Sequence, residues 1–249
     1  MKKNVLILII LWSFLWIGSL ELSFAQSKVS QQSFDGYINN KIPINLSLTF
    51  EDNLVYGILT YTKVGQPIKV IGSLEKDDFL LHEFAAKADI TGIYYGEKKG
   101  DEIKGSWSNP TGKEMPFSIK KTAVVAIEKP EVKSVTGSYA YSFGKDGGTG
   151  NLYVQQVGKD KIIVEMQAVK GPPSYNQAII TKTSLKLARN EAIYENKEFG
   201  KCKLKISFFE GGANIIYLDE AYECGFGNAA SVVGSYLKFD TKAPKFEQN

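Results

Sequence analysis

Few residues in this chain combine the types and spacing that chemistry demands. His82 is the single histidine, so a serine or cysteine nucleophile with an imidazole base, or a His-ligated metal, would have to be built around it. Glu83 follows, as in a His-Glu-x-x-His zinc motif, but Phe84, Ala85 and Ala86 come next and the second histidine is missing. A strand histidine beside a turn accounts for the pair. Glycoside hydrolysis needs only two carboxylates about 5 to 10 Å apart, and 27 acidic residues could supply them. Yet Glu51-Asp52, Asp77-Asp78, Asp101-Glu102 and Asp219-Glu220 coincide with turns, where turn preference and solubility explain acids. The run from Gly144 to Gly150 lacks the closing Gly-Lys-Ser/Thr of a phosphate loop. Its Asp146 and Thr149 are too few oxygen ligands for calcium, so it reads as a flexible hairpin turn. No catalytic residue, metal or cofactor is assigned.

The two cysteines carry a firmer expectation. Cys202 shares strand parity with Leu204, Ile206 and Phe208, and Cys224 follows the next strand, across a hairpin turning at Gly211-Gly212. That hairpin sets residue 202 opposite about residue 221, close enough to 224 for a structural disulfide. The close Cys-x-x-Cys spacing of a redox pair is absent.

Two loops have binding character. Gly171-Pro172-Pro173-Ser174-Tyr175-Asn176 is stiffened by proline, and Cys224-Gly225-Phe226-Gly227-Asn228 is tethered by the expected disulfide. Stiff loops that offer an aromatic ring and an amide lose little entropy on binding, which makes Tyr175, Asn176, Phe226 and Asn228 the candidate binding residues. The other reading turns Phe226 inward to plug a barrel end and makes Pro-Pro a simple corner.

The elements that must carry these loops are strands. Ile42, Ile44, Leu46, Leu48 and Phe50 alternate with polar residues and Pro43, which places one face in a core and the other in water. Turn signals recur every ten residues or so from Phe34 to Lys121 and again from Val135 to Phe239, the rhythm of an antiparallel meander. An apolar-x-Gly-x-apolar repeat (Val55/Gly57/Leu59, Val70/Gly72/Leu74, Ile90/Gly92/Tyr94, Ile103/Gly105/Trp107, Val135/Gly137/Tyr139, Val232/Gly234/Tyr236) points to strongly bent strands and barrel curvature. The expected fold is all-β, with two antiparallel meander or small β-barrel domains in tandem. They span residues 33–121 and 135–239, with a linker over 122–134, where Pro130 interrupts alternating charges, and a tail over 240–249. One continuous sandwich is the alternative arrangement.

Lys2 and Lys3, the apolar run from Val5 to Leu20 and the Ser23-Phe24-Ala25 cleavage site read as a signal peptide over 1–25. The mature chain is expected to be periplasmic or extracellular, with no stable transmembrane segment after cleavage. No cysteine precedes Cys202, so a lipid-modified N-terminal cysteine is excluded. With 30 Lys plus Arg against 27 Asp plus Glu, and a single arginine, Arg189, the chain lacks the clustered basic face of a nucleic-acid binder.

The stretch Glu198-Phe199-Gly200-Lys201-Cys202-Lys203-Leu204, with Cys224-Gly225-Phe226-Gly227-Asn228 and Gly234-Ser235-Tyr236-Leu237-Lys238, resembles a pattern in uncharacterised secreted bacterial proteins. Phe34-Asp35-Gly36-Tyr37-Ile38 through Gly105-Ser106-Trp107 and Met115-Pro116-Phe117 is similar to a second such β-rich group. Neither likeness implies an activity. In general layout the chain also resembles periplasmic lysozyme inhibitors, small disulfide-bonded β-barrels that insert a loop into an enzyme cleft. Their Ser-Gly-x-x-Tyr-type motif has no aligned counterpart here. The expected function is an exported, non-enzymatic binding protein acting through loops of its C-terminal domain on a protein, glycan or small molecule of the cell envelope. The alternatives are a calycin-like carrier of a small apolar ligand, a lysozyme-inhibitor-like protein and a carboxylate-based secreted hydrolase.

Overall fold

The alternation at Ile42 to Phe50 continues around a closed sheet. In the computed structural model, which describes residues 29–246, the first barrel contains eight strands. They are β1 (Val29–Ile38), β2 (Ile42–Glu51), β3 (Leu54–Tyr61), β4 (Pro67–Glu75), β5 (Asp78–Phe84), β6 (Ile90–Lys99), β7 (Glu102–Ser108) and β8 (Glu114–Ala126). Each pairs antiparallel with the next, and β1 pairs with β8 to close the ring. The second barrel repeats the plan with β9 (Gly137–Ser142), β10 (Thr149–Gln156), β11 (Lys161–Val169), β12 (Gln177–Ala188), β13 (Glu191–Asn196), β14 (Cys202–Phe209), β15 (Gly212–Tyr222) and β16 (Gly234–Asp240), closed by β16 against β9. The protein is therefore all-β, with two antiparallel barrels in tandem rather than one sandwich.

Three boundaries differ from the sequence reading, the first being β1, which begins at Val29 rather than at 33. Ala123 to Ala126 pair with Ser33 to Ser30 of β1, so the stretch expected as a linker over 122–134 is strand as far as Ala126. Both faces of this extension are exposed, Val124 and Val125 included, so it carries no alternation that would mark it as strand. Asp240 belongs to β16, and residues 241–246 follow it without strand pairing. The signal segment expected over 1–25 lies outside the described residues.

The recurring glycines have two separate causes. A side chain on Gly57 of β3 would meet the carbonyl oxygen of Ser47 on β2, and one on Gly72 of β4 would meet that of Leu80 on β5. Backbones that approach so closely let a short meander coil into a narrow barrel. In the two Val-x-Gly-x-Tyr copies of the second barrel, Gly137 and Gly234 hold φ of 153° and 147°, outside the range comfortable for other residues. At each copy the tyrosine side chain reaches back four residues, the Tyr139 hydroxyl donating to the Val135 carbonyl at 2.7 Å and the Tyr236 hydroxyl to that of Val232 at 2.6 Å. Both tyrosines are buried on adjacent strands, β9 and β16. Tyr236→Phe is expected to lower the unfolding free energy by about 1 to 2 kcal/mol, because it strands a buried carbonyl. An unchanged urea midpoint would refute that clasp.

Inward residues fill both barrels. Phe34, Leu48, Leu59, Phe79, Leu81 and Ile103 are among those packing the first, and Leu152, Val164, Met166, Leu204, Ile206 and Tyr236 the second. One outer row of the first barrel is partly dry, with Thr49, Tyr56 and Ile71 buried and His82, Ile93 and Ser108 half-buried, contrary to the expectation that outward positions face water. Strand register sets Thr49, Tyr56, Ile71, His82, Ile93 and Ser108 side by side across β2 to β7. The second barrel packs against this belt. Tyr56 stacks on Phe209 at 4.4 Å, His82 meets Phe143 edge-on at 5.7 Å, and Ile71 shares a buried cluster with Phe84, Ile90, Ala140 and Leu237.

Candidate functional site

In an antiparallel meander alternate turns fall at the same end of the barrel. The loops after β9, β11, β13 and β15 therefore crown one end of the second barrel, and both loops singled out in the sequence lie there. Cys202 opens β14 and pairs with Tyr222, one residue past the expected position, and the Cys202–Cys224 disulfide forms with its Cα atoms 4.6 Å apart. The bridge anchors the loop after β15 to the wall of the barrel.

That loop is fastened to its neighbours by polar contacts. The Asn176 side-chain amide donates to the Asn228 carbonyl at 2.7 Å, and the Gly227 N–H donates to the Gln177 carbonyl at 2.9 Å. On the other side, Lys201 N–H donates to the Glu223 carboxylate at 3.0 Å. Gly225 adopts a φ of 71°, and the Phe199 ring lies where a side chain at 225 would stand. A side chain at Gly227 would come within 3.0 Å of Asn176 Cβ. Cys224-Gly225-Phe226-Gly227-Asn228 is thus a spine, with glycine at the two places where the 197–201 and 170–176 loops lie flush on it.

The four candidate residues take different parts. Tyr175 is 58% exposed. Asn176 and Asn228 are joined to each other, and the half-buried Phe226 packs against the barrel core, the inward alternative raised by the sequence. Two further rings stand out at this end, Phe199 at 59% and Tyr222 at 64% exposure. Phe199 had a sequence signal, an apolar ring between Glu198 and Gly200 in an expected turn.

The first barrel holds a second polar constellation. Glu83 is 2% exposed and points inward from β5, following the parity of Phe79 and Leu81. Its Oε1 accepts from the Tyr61 hydroxyl at 2.6 Å, the Tyr94 hydroxyl at 2.8 Å and the Trp107 indole at 3.3 Å, while Thr91 reaches Oε2 at 3.4 Å. Gly92, its register partner on β6, makes the room, since a side chain there would stand 2.6 Å from the Glu83 carboxyl carbon. Burial and then the nearby carboxylate push the Tyr61 and Tyr94 phenols well above their ordinary range, so both remain donors. A carboxylate surrounded by neutral donors and seated among packed side chains is a polar plug at the barrel end. No second acid faces Glu83 in this cluster of contacts. The sequence held the signal, because Phe79-x-Leu81-x-Glu83 places the acid on the core face.

Among the described residues no group of three or more His, Cys, Asp or Glu is arranged to hold a metal ion, and no helix is long and apolar enough to cross a membrane. No protein-family model, curated protein or solved structure matches this chain.

Proposed function

We propose that this is an exported, non-enzymatic binding protein whose recognition surface is the crowned end of its second barrel. The observation that carries the reading is the fastening of three loops into one framework that leaves Tyr175 and Phe199 exposed. Ordering costs are largely met before a partner arrives, which favours a specific surface over a merely solvated barrel end. The disulfide supports export, since such bonds persist in oxidising compartments. Tyr175 and Phe199 make contact, Asn176 and Asn228 hold the loops in register, and Phe226 anchors them to the core. The carrier reading has less support, because large side chains fill both barrels, and a hydrolase would need a second acid facing Glu83.

Native mass spectrometry of the protein purified gently from its own cells is expected to retain a macromolecular partner. The Tyr175→Ala/Phe199→Ala double variant should lose that mass while its stability changes by no more than about 1 kcal/mol. Retention by the double variant would remove this surface from the site. A small apolar molecule in place of a partner would favour the carrier.

A further inference from the structure

His82 occupies an unusual place for an imidazole. It is half-buried at the contact between the barrels, flanked in register by Ile71 of β4 and Ile93 of β6, with Phe84 on its own strand and Phe143 of the second barrel edge-on to its ring. Its Nδ1 is enclosed and has no hydrogen-bond partner among the described residues. Whichever tautomer the neutral ring adopts, the imidazolium must carry a hydrogen on Nδ1, and there is no acceptor for it.

The surrounding charges offer little compensation. The cleft that His82 lines also contains Glu51 and Asp52 from the end of β2 and its turn, Glu75 of β4, Glu191 of β13 and Lys205 of β14. Glu51 is engaged by Lys129, and Glu191 by Lys205 at 3.6 Å. Asp52, Glu75, Lys145 and Asp146 are exposed at or beside turns, and beyond Phe84 the exposed Lys87 lies in a short 3-10 helix and the exposed Asp89 forms a backbone bridge to Ser142. Burial therefore governs the ring and lowers its pKa from 6.5 to about 4.

We infer that the contact between the two barrels is a proton-sensitive latch with His82 as its sensor. With the ring neutral the belt stays apolar and the second barrel remains seated. Protonation places a charged donor against Phe143 without an acceptor, and separating the barrels lets water solvate it. The sign follows from linkage. The separated state takes up the proton more readily, so the closed state is favoured above about pH 6.5 and loses ground as pH falls towards 4. At full titration the closed-to-open ratio should fall on the order of 10²-fold. The latch is independent of the loop surface proposed above.

The test uses the whole chain without a polyhistidine tag, so that His82 is the single imidazole and its NMR signals report its own titration. Small-angle scattering from about pH 7.5 to about pH 3.5 is expected to show a larger radius of gyration in step with that titration, with strand circular dichroism unchanged. His82→Phe, which keeps a ring but takes no proton, should stay compact over the same range. A wild-type protein that remains compact after His82 has titrated overturns the latch. So does a His82→Phe protein that opens at the same pH, which would assign opening to carboxylates, or loss of strand signal in step with expansion, which would mean unfolding rather than separation.

Discussion

Glu83→Ala is expected to destabilise the first barrel by about 3 kcal/mol, among the largest effects of any single substitution in the chain. Removing the carboxylate strands the Tyr94 hydroxyl, which is fully buried, and takes the shared acceptor from Tyr61 and Trp107. Each buried donor left unpaired costs about 1 to 3 kcal/mol, although the half-exposed Tyr61 and Trp107 can reach water and recover part of theirs. The space vacated beside Gly92 adds a cavity cost. Tyr94→Phe should cost less, about 1.5 to 2 kcal/mol, because it deprives the carboxylate of one donor while Tyr61 remains at 2.6 Å. Glu83→Gln retains an acceptor oxygen and should be the mildest of the three. Urea denaturation followed by tryptophan fluorescence reads this ranking, since Trp107 lies in the cluster. Equal midpoints for Glu83→Ala and wild type would show that the cluster is incidental to stability.

Removal of the disulfide is the second large effect. Cys202 and Cys224 are separated by 22 positions, and a bridge closing a loop of that length contributes about 3 kcal/mol by restricting the unfolded chain. The Cys202→Ser/Cys224→Ser variant should melt earlier by on the order of 10 °C for a barrel of roughly 100 residues. Its damage should also be local at first. The loop after β15 would lose its covalent tie and keep only non-covalent ones, the hydrogen bonds to Asn176, Gln177, Lys201, Tyr217 and Tyr236 and the packing of Phe226 and Val232, so limited proteolysis should cut in its exposed part, between residues 225 and 229, before the barrel unfolds. Reduction of the wild type should reproduce both changes. Equal melting of the reduced and oxidised proteins would contradict this account, and cleavage elsewhere first would show that the bridge does not hold the crown.

Much of the fold was legible in the residue order, for reasons that can be traced. Ile42 to Phe50 alternates because a barrel strand has one dry face, and the hairpin turns at Glu51-Asp52-Asn53 and Gly211-Gly212 announced antiparallel neighbours. The cysteine pair followed from the same hairpin register. Glu83 could have been found by extending the parity of Phe79 and Leu81. A metal motif at His82-Glu83 is incompatible with that parity, because the two side chains point to opposite faces of one strand.

The candidate site was only partly legible. Both loops were identified, but Phe226 packs inward and Phe199 is displayed, an exchange that depends on which ring the core can accept. An apolar ring beside a glycine looks the same in sequence whether it faces water or plugs a barrel.

The amino-acid order by itself determined strand identity, the sequential antiparallel pairing, the inward set of side chains and the disulfide, because each depends on period-two alternation and turns that act over a few residues. Only the tertiary structure decided that, in the row running from Thr49 to Ser108, the second barrel packs against Tyr56, Ile71, His82 and Ile93. The residues of that row lie on six successive strands and line up through sequential hairpin pairing, but what lies over them comes from the other barrel. Whether such an outer row is wet or dry depends on contact with a surface far along the chain, Phe143 against His82 and Phe209 against Tyr56, and no local pattern records that contact.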